Sequence, residues 1–227
     1  MKRNLSKLAD TTFDLLIIGG GIHGAVLAWQ AALCGLSVGL IEKGDFAQGT
    51  SFNSQKIIHG GLRYLQNLNI ARMLQSMWSR RQLMMLAPHL VHPLRCLMPV
   101  YGHGFKGKEM MWLGLRINDL IGTNRNSLSD RSKYVPNGKL LTASKTNNLI
   151  PSLKQDNLKG SSQWYDAICL NTERLVLGFV RTACNEGAVI ANYVKATGII
   201  HSRNKIEGIR CLDQITGDTF DIRANSV

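Results

Sequence analysis

The stretch FDLLIIGGGIHGAVLAWQAALCGLSVGLIE, residues 13–42, decides the fold. Phe13 to Ile18 is a short, almost unbroken apolar run, the pattern of a strand buried on both faces of a parallel sheet. Gly19-Gly20-Gly21 ends it. Ile22 to Leu33 is small and apolar, with Ala25, Ala28, Ala31 and Ala32, which predicts a helix lying close against a sheet. Gly35 is placed to stop that helix, and Ser37 to Glu42 returns as a second strand, completing one βαβ unit. The glycines at 19, 21 and 24 are spaced G-x-G-x-x-G, and Glu42 follows the last of them by 18 residues. The first glycine makes the tight turn, the second lets the backbone approach a pyrophosphate, and the third allows close helix–strand packing. The helix N-terminus offers free N–H groups to the anion, and Glu42 accepts hydrogen bonds from ribose hydroxyls. The pattern predicts an adenine dinucleotide site. An acidic Glu42 disfavours the 2′-phosphate of NADP and leaves NAD and FAD both open.

Outward from that stretch, 227 residues with 44% hydrophobic and 19% charged side chains make a globular composition with ample core. No apolar run reaches the ~20 residues a spanning helix needs. The start, MKRNLSKLAD, lacks an apolar core with a cleavage site, so no secretory leader is expected. Cys34, Cys96, Cys169, Cys184 and Cys211 are odd in number and contain no C-x-x-C pair. That argues against a disulfide scaffold or a zinc site and fits a reducing compartment. His89-x-x-His92 is flanked by Pro88 and Pro93 without an evident third ligand, so no metal is expected.

The formal charge of +12 is unevenly spread. Residues 1–53, which carry the βαβ fingerprint, are neutral, and residues 146–227 hold +1, whereas residues 54–145 hold +11. That middle stretch also holds seven of the eight methionines together with Trp78 and Trp112. Ile70 to Met85 and Glu109 to Ile121 recur at helical spacing, while Gly122 to Lys145 reads as loop, so 54–145 is expected to be a basic, Met/Trp-rich helical segment. Residues 146–227 return to α/β patterning. There, Arg174 to Asn185 reads as a helix, Ala188 to Val194 as a strand, and Gly198 to His201 with Ile206 to Leu212 as an antiparallel pair. Apolar helices flanked by Arg80, Arg81, Arg95, Lys106, Lys108 and Arg116 suit an anionic membrane surface. Nucleic acid has only the charge in its favour and is not expected as a partner.

The segment Glu42-Lys43-Gly44-Asp45-Phe46-Ala47-Gln48-Gly49-Thr50-Ser51 runs on into Lys56-Ile57-Ile58-His59-Gly60-Gly61-Leu62-Arg63-Tyr64-Leu65. With Ala87-Pro88-His89-Leu90-Val91 and Arg174-Leu175-Val176-Leu177, it resembles the FAD-dependent glycerol-3-phosphate dehydrogenases, within the D-amino-acid-oxidase-like flavoproteins. The resemblance runs from about residue 13 to the end of the chain and selects FAD as the cofactor. It implies an α/β architecture: a Rossmann-like FAD-binding domain with the inserted helical segment, and the start of an antiparallel substrate domain. The reaction it implies is oxidation of glycerol 3-phosphate to dihydroxyacetone phosphate, with electrons passed to a quinone. By position it puts Gly19, Gly21, Gly24, Glu42, Thr50, Ser51, Lys56, Gly60, Gly61 and Ala196 at the cofactor. It puts Arg63 and Tyr64 at the substrate phosphate, and His59 beside the flavin as the catalytic group.

Some positions depart from the family pattern. Ser51-Phe52-Asn53-Ser54-Gln55-Lys56 stands where small hydroxyl residues are usual, His23 where asparagine is common, and Asn171-Thr172 where two aspartates are usual. A 2-hydroxy acid or an amino acid is therefore an alternative substrate for the same fold. The family chain is about twice as long, so the resemblance implies that residues 1–227 are the FAD-binding part of a larger flavoenzyme. Its C-terminal half is then absent, and these residues alone are expected not to turn over. A truncated chain that keeps only nucleotide or membrane binding is the non-enzymatic alternative. The expected location is cytoplasmic and peripheral, on the inner face of the membrane, with the quinone pool and a small phosphorylated polyol as partners.

Overall fold

A computed structural model of the chain describes residues 2–102, 107–202 and 205–227. They form two compact units, one of residues up to 55 with 171–227, the other of residues 56–170. In chain order the first unit opens with α1 (Leu5–Asp10), β1 (Thr12–Ile18), α2 (Ile22–Leu33) and β2 (Val38–Ile41). The second unit holds β3 (Ile57–Ile58), α3 (Ile70–Leu86), β4 (Val91–Tyr101), α4 (Lys108–Ile121), β5 (Lys139–Thr142), α5 (Ala143–Leu149) and β6 (Leu158–Cys169). The chain then returns to the first unit with α6 (Thr172–Asn185), β7 (Val189–Ala191), β8 (Val194–Ser202), β9 (Lys205–Asp213) and β10 (Thr219–Ser226).

The first unit is a six-stranded mixed sheet in the order β7-β2-β1-β10-β9-β8. β7, β2, β1 and β10 run parallel to their neighbours, and β9 and β8 close the sheet antiparallel. All four residues of β2 are buried, as a parallel strand covered on both faces requires. One core gathers Leu8 of α1 with Phe13, Leu16, Ile41, Val194, Ile209 and Ile222. The alanines of α2 are buried, as their spacing predicts, and Trp29 of that helix meets Phe179 of α6 with ring centroids 5.4 Å apart. α6 starts on Asn171, whose side chain accepts the Arg174 N–H. The residue at this departure from the family pattern is thus a helix cap.

The second unit is built on a four-stranded antiparallel sheet with β6 at its centre, paired with β4 along one edge and with β3 and β5 along the other. Residues 54–145 therefore carry β3, β4 and β5 as well as the two expected helices. Within the stretch read as loop, 3-10 turns at Thr123–Asn126 and Arg131–Lys133 are followed by β5 and the start of α5. β4 contains Pro93 and Pro99, which an edge strand accommodates because it pairs with β6 along one side only among the described residues. β6 hides Ser161, Ser162, Gln163 and Asp166 in its buried positions, so its sequence lacks the apolar run of a central strand.

Candidate functional site

The turn after β1 is built as its glycines require. Gly19 has φ +118°, open to glycine and strained for other residues, and a Cβ on Gly24 would stand 2.0 Å from the Gly19 carbonyl oxygen. Without that Cβ, α2 starts directly against the end of β1, and its first-turn N–H groups face the turn. Ser51 Oγ accepts the Ile22 N–H at 2.9 Å. Glu42 reaches back from the end of β2, where its two carboxylate oxygens accept the Gly20 N–H at 2.7 Å and the Gly44 N–H at 2.8 Å. Both glycine amides thereby fix the carboxylate in one orientation. Glu42 is also clamped through its backbone, with its N–H on Ala191 O and its carbonyl accepting from Val194 N–H.

Gly19, Gly21, Gly24, Glu42, Thr50 and Ser51 line one cavity of about 710 Å³, together with His23, Lys43 and Gln48. These are a glycine cradle at a helix N-terminus, hydroxyls, and one oriented carboxylate, a donor and acceptor set that fits a dinucleotide with its pyrophosphate at the helix and a ribose at Glu42. Ala196 is half-buried on β8, paired with Cys211 of β9, and stands outside that lining.

The remaining expected site residues belong to the second unit. Lys56 has φ +59°, its carbonyl accepts the Cys169 N–H at 2.9 Å, and its Nζ donates to Leu170 O at 3.2 Å. His59 is exposed and meets the Tyr64 ring edge-on at 5.8 Å, while the Arg72 guanidinium lies over the same ring, 5.2 Å from its centroid. Gly61 has φ +82° and caps a 3-10 turn over Leu62–Asn67 that carries Arg63 and Tyr64. Arg63 is exposed and forms no ion pair with any described residue.

Two residues of this region escape sequence reasoning. The Gly60 N–H donates to Asp166 Oδ1 at 2.6 Å, and Arg80 Nη1 donates to the same oxygen at 3.3 Å and to Tyr165 O at 2.8 Å. Burial pulls the Arg80 guanidinium below its usual range, and the charge of Asp166 opposes that. Arg80 is thus no part of a basic surface, contrary to its sequence assignment: it is 3% exposed. Its partner Asp166 is 86 positions away, and no local pattern announces that partner. Lys106 lies outside the described residues. On the outer faces, α3 exposes Leu74 and Trp78, and α4 exposes Met110, Trp112, Leu113 and Leu120, with the Arg116 guanidinium 5.5 Å from the Trp112 ring centroid. No helix among the described residues is long and apolar enough to cross a membrane.

Residues 14–226 match the FAD dependent oxidoreductase family. The chain is 37% identical to the aerobic glycerol-3-phosphate dehydrogenase of Staphylococcus epidermidis over its whole length, and 35% identical to the glycerol-3-phosphate dehydrogenase of a Synechocystis species over 98% of it. It spans 39% of the length of each of these relatives. A solved glycerol-3-phosphate dehydrogenase from Bacillus halodurans, complexed with FAD, superposes with a TM-score of 0.69 at 27% identity, covering 97% of this chain and 34% of that one.

Proposed function

The chain belongs to the FAD dependent oxidoreductase family, and from that premise we propose that it forms the cofactor-binding part of a flavoenzyme that oxidises glycerol 3-phosphate to dihydroxyacetone phosphate. The observation that carries the cofactor assignment is the Glu42 carboxylate, held by two glycine amides at the rim of the Gly19–Gly24 cradle. In this reading the α2 N-terminus, with Thr50 and Ser51, takes the pyrophosphate, and Glu42 accepts hydrogen bonds from the ribose hydroxyls. The family pattern assigns further cofactor contacts to Lys56, Gly60, Gly61 and Ala196. FAD bound there supplies the two-electron acceptor that alcohol oxidation needs.

The chain's own residues supply the rest. Arg63 offers an exposed guanidinium without an ion-pair partner among the described residues, and a guanidinium holds a phosphate through two parallel hydrogen bonds. Tyr64 lines the same anion site. An imidazole nitrogen of His59 accepts the hydroxyl proton as the alcohol becomes a ketone. The relatives named above, which are glycerol-3-phosphate dehydrogenases, support this choice of substrate.

The exposed apolar residues of α3 and α4, beside Arg81, Lys108 and Arg116, support peripheral attachment to an anionic membrane, where a quinone receives the electrons. The substrate assignment is tested by anaerobic addition of glycerol 3-phosphate, 2-hydroxy acids and amino acids to flavin-loaded protein of the relatives' length. Bleaching of the flavin band by glycerol 3-phosphate alone, weakened in Arg63→Ala, is the expected result. Bleaching by an amino acid instead contradicts it.

A further inference from the structure

We propose that Asp166 is a positioning residue for anion binding by Arg63: through the Gly60 N–H it fixes the turn from which Arg63 and Tyr64 project, with Arg80 as its buried counter-charge. This rests on the reading of Arg63 as the phosphate ligand. All the groups involved lie within the second unit.

Asp166 sits on the central strand β6 with both oxygens engaged. Oδ1 accepts from Gly60 N–H and Arg80 Nη1, and Oδ2 accepts from Trp164 Nε1 at 3.1 Å. The Gly60 bond is charge-assisted, because its acceptor is a carboxylate. On the same backbone, a Cβ on Gly60 would lie 2.2 Å from Arg80 Nη1, so the guanidinium lies flush against the turn. The turn is thus fixed from its inner side by the charged side chains of two buried residues.

From that anchor the chain passes through Gly61, at φ +82°, whose carbonyl accepts the Tyr64 N–H at 2.9 Å. Arg63 lies inside this closed turn and has no ion pair of its own among the described residues to set its direction. Its position therefore comes from the backbone, and the backbone is held by Asp166. Burying two charges is costly, and an apolar pair would fill the space without that cost, but an apolar pair offers no acceptor for the Gly60 N–H. A preorganised anion ligand needs such a support, because small displacements of its base lose affinity.

The test is a titration of the isotope-labelled chain with glycerol 3-phosphate, followed by amide and arginine side-chain NMR, in Asp166→Asn and Arg63→Ala. Asp166→Asn is expected to move the Gly60 to Tyr64 amide signals and to weaken glycerol 3-phosphate binding about tenfold, a loss equivalent to about 1.4 kcal/mol. If removing the Arg80 counter-charge prevents folding, Asp166→Asn combined with Arg80→Gln, which leaves no lone buried charge, is measured the same way with the same expectation. Unchanged affinity in the folded Asp166 variant, with Arg63→Ala binding weakly, overturns the positioning role and leaves the phosphate reading standing. Unchanged affinity in Arg63→Ala, or no binding by the parent chain, overturns the phosphate reading and this inference with it.

Discussion

At the scale of single residues, the cradle is governed by backbone geometry that side-chain identity makes visible. The roles assigned to Gly19 and Gly24 from their spacing agree with a positive φ at the first and a 2.0 Å approach at the second. Asp166 has no such visibility, because its partner Gly60 is 106 positions away and an aspartate inside a strand looks like a surface residue. The first unit has its own buried carboxylate, Asp213, which pairs with Arg3. Burial alone raises its pKa, but the Ile215 N–H, the Arg3 guanidinium and the Thr216 hydroxyl outweigh that and hold it below the usual carboxylate value. The folded pKa therefore lies below the unfolded one, so the stabilisation is complete above about pH 4 and is lost as pH falls through the folded value. Asp213→Asn should flatten the fall in stability between about pH 5 and about pH 2, measured by denaturant unfolding across that range.

Among the elements, those with regular periodicity were legible and those that bury polar residues were not. α2 spans Ile22–Leu33, the range its alanine spacing predicts, and α3 and α4 lie where the Met/Trp pattern puts them. β4 was hidden by Pro93 and Pro99, and β6 by Ser161, Ser162, Gln163 and Asp166, because the rules that read strands look for apolar runs. α4 exposes apolar as well as charged residues. Leu115 is buried, while Trp112 and Leu113 are exposed and Leu120 is 75% exposed. Replacing Trp112 and Leu120 by serine should leave the melting temperature nearly unchanged, since exposed substitutions cost within about 0.5 kcal/mol. The same change should reduce flotation with anionic vesicles, and salt should weaken flotation of the parent chain. Equal flotation of the variant places the membrane contact elsewhere.

For the whole molecule, the charge that looked like a surface property is partly internal. Arg80, Arg125 and Lys133, all within the strongly basic stretch, are buried, with Arg80 and Arg125 paired to Asp166 and Asp119. What remains outside includes Arg63 and the basic flanks of α4, so charge counts overstate the electrostatic surface of this chain. The glycine cradle is readable because residues 19–51 are contiguous in sequence and line one cavity. The second unit was not readable as a sheet, because its central strand is assembled from partners spread over more than 70 positions. The central claim is that Glu42 and the glycine cradle hold FAD, and titration of FAD with the purified chain, followed by flavin fluorescence, tests it most directly. Saturable binding is predicted, with Glu42→Ala at least about tenfold weaker because the acceptor for two amides and a ribose is gone. A folded chain that binds no FAD, or a Glu42→Ala variant that binds it equally well, would contradict the account.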